Sequence, residues 1–90
     1  MIKQNKMKKF IAEIDVMPLD ALLDPQGKAV TQAMGNLGLN EITNVRIGKH
    51  IRLFIDADSK KTAETKADEA CKKLLANEIM EGYSVTVVEA

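Results

Sequence analysis

The sequence predicts an α+β fold of order βαββαβ, with two helices packed on one face of a four-stranded antiparallel sheet. Two observations carry that prediction. Apolar residues recur at every second position in residues 8–16, 50–56 and 83–88, the period of a strand with one dry face. Two intervening segments open on helix-capping residues and carry apolar residues at three- and four-residue spacing. Two βαβ halves joined by a hairpin satisfy both patterns. The 90 residues suit one domain over 8–90, preceded by a flexible extension over 1–7.

In the first alternating run Phe10, Ala12, Ile14 and Val16 share a face, opposite Lys9, Ile11, Glu13 and Asp15. Residues 17–23 contain Pro18 and Asp20 and read as a loop. Asp24-Pro25 then starts a helix: the carboxylate caps orphan N–H groups, and proline has no N–H to leave unpaired. Val30, Ala33, Met34 and Leu37 form its stripe, and Gly38 suits a left-handed helix end. Residues 41–48 read as a second strand through Val45 and Ile47. Gly48-Lys49 or Lys49-His50 would turn tightly into a third, with Ile51, Leu53 and Ile55 inward. Asp58 and Ser59 compete to cap the second helix. Its stripe is Ala63, Ala67, Ala70, Cys71 and Leu74, and its C-cap is Asn77. Asp68 with Lys72 and Glu69 with Lys73 are favourable i,i+4 pairs. Tyr83, Val85 and Val87 point one way on the last strand.

Composition narrows the function. Thirteen basic and thirteen acidic residues balance, unlike the basic footprint of a nucleic-acid binder. The aromatic residues are Phe10, Phe54 and Tyr83, too few for stacking bases on a sheet. No apolar run nears the roughly 20 residues of a membrane span, and residues 1–7 lack a signal-peptide core, so a cytoplasmic protein is expected. His50 is the single histidine and Cys71 the single cysteine, too few ligands for the usual zinc site. No nucleophile stands beside a base, and no glycine-rich phosphate loop precedes a helix. The expected catalytic and metal sites are therefore none.

Three segments stand out as docking candidates. In Asp24, Pro25, Gln26 and Gly27, the cap and the proline explain two residues. Glycine in a first helical turn costs about 1 kcal/mol against alanine; plain turn geometry accounts for Gly27, and so does a docking role in which another backbone or a ligand approaches closely. In Arg46, Gly48 and Lys49, an outward arginine beside a lysine at a strand end can hold a phosphate or a partner's carboxylate, or can be a solvated hairpin end. In Leu75 and Asn77, a helix end competes with a subunit contact.

The strings LDPQGKAV, NVRIGKHI and CKKLLAN, in this order and spacing, resemble the signature stretches of the PurS family, small subunits of bacterial phosphoribosylformylglycinamidine synthase. The resemblance runs from Phe10 to Glu89. Ala21 stands where glycine is common, Glu78 where proline is frequent, and Met7 matches the usual start. The resemblance implies a non-catalytic subunit that bridges an ATP-dependent synthetase and a glutaminase so that ammonia is transferred. It implies no cofactor on this subunit, although the complex uses ATP, Mg and glutamine. It further implies a homodimer or dimer-based tetramer. The same element order also fits a small-ligand regulatory domain of the ACT type, which would hold an amino acid in its first βα loop.

Overall fold

The computed structural model describes residues 7–90; of the expected extension over 1–7, all but Met7 lies outside them. Strand β1 (Lys8–Pro18) is the centre of a three-stranded antiparallel sheet, between β2 (Lys49–Ala57) and β3 (Glu81–Glu89). Its period-two pattern buries Phe10, Ala12, Ile14 and Val16 on one face. The register sets Ile55, Leu53 and Ile51 beside them on one side and Val87, Val85 and Tyr83 on the other.

Helix α2 (Lys60–Ala70) closes this face. Ser59, not Asp58, caps it, its Oγ accepting the Thr62 N–H at 3.2 Å. The small side chains of Ala63, Ala67 and Cys71 let the helix backbone lie close to the sheet, and all three are fully buried. Tyr83 donates its hydroxyl to Asp68 at 2.5 Å, tying β3 to α2. Both expected i,i+4 ion pairs form.

The stripe on α2 changes hand at its end. Leu74, expected in the core, is 83% exposed, and Leu75 packs against the core instead. The cause is a π-helical turn over Cys71–Leu75, closed by the Ala76 N–H on the Cys71 carbonyl at 3.0 Å. An i→i+5 turn takes in one more residue than an α turn. It therefore delivers residue 75 where α spacing delivers 74. The helix ends at Ala76. Asn77, the expected C-cap, instead heads a turn, its carbonyl accepting from Met80 and Glu81 and its Oδ1 from Ile79.

The larger departure concerns the first half. The expected fourth strand over 41–48 and its hairpin do not form, and only one helix lies on the sheet. Helix α1 (Pro25–Asn36) stands off the strands, and residues 42–48 return alongside it before running straight into β2. The N–H groups of Val45 and Ile47 go to the side chains of Thr31 and Asp24, not to a neighbouring strand. Asn44 sits in the left-handed region, φ 54°, which interrupts strand geometry. Leu37 accordingly remains 74% exposed, and Val30 and Met34 are half-buried. The helix end itself follows expectation: Gly38 at φ 82° and the Leu39 N–H on Met34 O close a Schellman motif. Residues 19–48 thus form an arm. The radius of gyration is 18.2 Å, against about 12 Å for a compact chain of this length.

Candidate functional site

The docking candidates Asp24, Gly27, Arg46 and Gly48, separated in sequence, meet at the arm and its root. One Asp24 oxygen accepts the Ile47 N–H at 2.7 Å. That bond, then the nearness of the Gly27 N–H, holds the Asp24 carboxyl below its ordinary pKa of 3.8. Asp24 stands at the N-cap of α1 but makes no side-chain cap bond there, contrary to expectation; its carboxylate grips the returning segment instead. Gly27 is the one buried residue of α1, and a Cβ there would penetrate the Val45 carbonyl. The close approach that would justify this glycine exists, and the approaching backbone is the chain's own. One turn later Thr31 donates to the Gly27 carbonyl at 2.8 Å and accepts the Val45 N–H at 2.9 Å.

Arg46 does not point outward as expected. Its guanidinium turns back to the carbonyls of Leu22 (3.0 Å) and Leu19 (2.7 Å), closing the loop that leads into α1. A planar fork suits two carbonyls of one turn as well as it suits a carboxylate. Gly48 lies where the arm meets the sheet, and a Cβ there would strike the Val16 carbonyl and the Met17 sulfur. Pro25, Gln26 and Lys49 remain exposed beside these contacts. Leu75 and Asn77 lie elsewhere, at the end of α2. The Asn77–Met80 turn nevertheless reaches the arm, because the Leu19 N–H donates to Met80 O at 2.9 Å.

Two hollows accompany this geometry. A cleft of about 500 Å³ runs between α1 and residues 44–46, bordered by Leu23, Lys28, Thr31, Gln32, Asn44 and Arg46. A smaller apolar groove of about 180 Å³ lies between Pro18, Leu22, Leu23 and Met80. Cys71 is buried, and burial first, then the nearby Asp68 charge, raises its thiol pKa above 9.0, which suits a packing residue. Among the described residues no three His, Cys, Asp or Glu side chains converge to hold a metal, and no helix is long and apolar enough to cross a membrane.

Sequence reasoning missed Thr31 and a charged cluster on the uncovered face of the sheet. There His50 contacts Asp15 and Glu13, and Arg52 contacts Glu13. Alternation had placed these carboxylates and Arg52 on outward faces; only the β1–β2 register, which pairs Asp15 with His50 and Glu13 with Arg52, brings them together.

A three-stranded body carrying a projecting helical arm, with carboxylate, glycine and arginine spent on holding the arm, defines a small α+β protein. The chain matches the family model for PurS, phosphoribosylformylglycinamidine (FGAM) synthase, over residues 11–89. It is 39% identical over 90 residues to the PurS subunit of Synechocystis, spanning 98% of this chain and 90% of that one. Against the Bacillus subtilis PurS subunit it is 41% identical over 70 residues, spanning 78% and 82%. Its fold is similar to a chain in the structure of PurLQS from Thermotoga maritima, at TM-score 0.84 and 29% identity, covering 91% of this chain and 100% of that one. The chain belongs to the PurS family, the PurS subunits of phosphoribosylformylglycinamidine synthase.

Proposed function

We propose that this chain is the small, non-catalytic subunit of a phosphoribosylformylglycinamidine synthase in purine biosynthesis, acting in the cytoplasm. It bridges the ATP-dependent synthetase and the glutaminase so that ammonia released by one is consumed by the other. The family match across residues 11–89 carries this reading, and the similarity to a chain of PurLQS supports the assembly role. The physical contribution is proximity: ammonia freed beside the synthetase pocket reacts before it diffuses away. ATP, Mg and glutamine belong to the other subunits, and nucleic acid and membrane are not partners.

The chain acts as a homodimer or dimer-based tetramer. A 12-residue helix laid on one extended segment is marginal in water by itself, so the arm needs a surface to lie on. Its exposed Pro25, Gln26 and Lys49 border the docking surface, which Asp24, Gly27, Arg46 and Gly48 shape from within. The α2 end, with Leu75 and Asn77, supplies the second contact.

Reconstitution tests the reading. Glutamine-dependent amidine formation by synthetase and glutaminase should collapse when this chain is omitted, while ammonia-dependent formation by the synthetase persists. Full glutamine-dependent activity without the chain would overturn it. Lys49→Glu should leave the melting temperature within the range of an ordinary surface change, about 0.5 kcal/mol, and weaken capture of the partner subunits roughly tenfold.

A further inference from the structure

We propose that His50, held between Glu13 and Asp15 at the root of the arm, is a protonation-dependent clasp that fixes the arm to the sheet when the imidazole is charged and loosens it when the imidazole is neutral.

The geometry is that of a double donor. His50 Nδ1 lies 2.6 Å from Asp15 Oδ1, and Nε2 lies 2.7 Å from Glu13 Oε1. A neutral imidazole has one N–H, so it can donate to only one of these oxygens and must turn a lone pair on the other. The imidazolium donates to both. Arg52, two residues along β2, donates Nε to both Glu13 oxygens at 3.1 and 2.9 Å. From the other flank β3 contributes Ser84 beside Asp15 and Thr86 beside Glu13, neither of which titrates in this range. Lys49 is the chain neighbour on the opposite pleat, and the Lys9–Asp56 pair occupies the far end of the β1–β2 ladder. Helix α2 covers the other face of the sheet. Two carboxylates, Arg52 and a charged His50 sum to zero, and loss of the His50 proton leaves one net negative charge.

Position gives this cluster a consequence. Asp15 pairs with His50 and Val16 with Lys49, the last rungs of the β1–β2 ladder. Beyond them the chain leaves the sheet at Gly48 and enters the arm, reaching Ile47, whose N–H is held by Asp24. The clasp therefore sits on the rungs from which the arm projects. The bond to Glu13, then that to Asp15, raises the His50 pKa above 6.5, and the His50 bond lowers that of Glu13 below 4.5. For a base with a raised folded pKa, the stabilisation is complete below pH 6.5 and is lost as pH rises through the folded value.

Proton NMR of the whole chain tests this, because His50 is the single histidine. The imidazole should titrate with a midpoint above 6.5, and Asp15→Asn and Glu13→Gln should each bring it down. Through that midpoint the exchange protection of the Val45, Ile47 and Ile51 amides should fall about threefold, the scale of an exposed ion pair, while that of Ile55 at the far end of β2 holds. His50→Gln should show the lower protection at every pH. A midpoint at or below 6.5, arm protection that is constant through the titration, or a pH-dependent loss that survives in His50→Gln would each overturn the proposal.

Discussion

Nine side chains are buried to 2% exposure or less in the body, Ile14, Val16 and Cys71 being the largest of those under 2%; in the arm the one buried residue is a glycine. The body is held by apolar packing between a sheet face and α2, with polar ties such as Tyr83–Asp68 at its margin. The arm is held by individual polar contacts: Asp24 on Ile47, Thr31 on Val45, Arg46 on Leu19 and Leu22. Apolar burial is non-directional and tolerates some repacking, whereas a carboxylate that holds the backbone of a returning segment works only with its atoms in place. The described residues therefore contain a region held by apolar burial and a region held by directed polar contacts.

That contrast can be broken most forcefully in the body. Ile14→Ala removes a fully buried side chain from the central strand and should cost about 2–5 kcal/mol, measured as a cooperative loss of the whole fold in denaturant. Equal loss from an arm substitution would show that the two regions are one cooperative unit.

Gly27→Ala is the sharpest probe of the arm. Alanine gains about 1 kcal/mol of helix propensity, but its methyl meets the Val45 carbonyl, and overpacking of this kind costs about 1–3 kcal/mol. The expected net effect is destabilisation by about 1 kcal/mol, confined to faster exchange of the amides over residues 25–48, with the β1 amides unchanged. Arg46→Ala should cost about 1 kcal/mol, since two hydrogen bonds to carbonyls are lost, and should loosen residues 19–22 in the same exchange experiment.

Within the body, Leu75→Ala should destabilise by about 1–2 kcal/mol and Leu74→Ala by less than about 0.5 kcal/mol. The reverse ranking in thermal melts would show that the π turn does not persist in solution. The smallest effect is electrostatic. The bond to Asp68 pushes the Tyr83 hydroxyl up to about 12 from 10.0. Stability from this bond is present below pH 10 and lost as pH rises through the folded value; on the acid side it is lost as Asp68, lowered from 3.8, takes up its proton. Tyr83 is the single tyrosine, so its ultraviolet titration should shift toward 10 in Asp68→Asn.

Much of this was legible in the residues. Period-two alternation placed the core of β1, the inward side of β2 and the facing residues of β3, because a pleated strand ties sequence parity to sheet face. Asp24-Pro25 and Gly38 marked the ends of α1, because caps answer to local backbone needs. Gly27 stood out in the residues, but pattern left turn geometry and docking open, and the backbone that approaches it is the chain's own at Val45. The Leu74–Leu75 exchange was hidden, because α and π turns draw on the same residues and differ only in which carbonyl the Ala76 N–H finds.

Local pattern was enough for β1, both helices, the strands over residues 49–57 and 81–89, and the family. What residues 41–48 pair with was settled by long-range contacts. Alternation around Val45 and Ile47 declares an extended chain and says nothing of its neighbour. A strand and a helix bearing Asp24 and Thr31 both satisfy its N–H groups, and the choice lies in contacts 14 to 23 residues apart that no local pattern encodes. The same holds for Arg46, whose fork finds two carbonyls 24 and 27 residues away in the chain once the arm has folded back, and finds solvent if it has not.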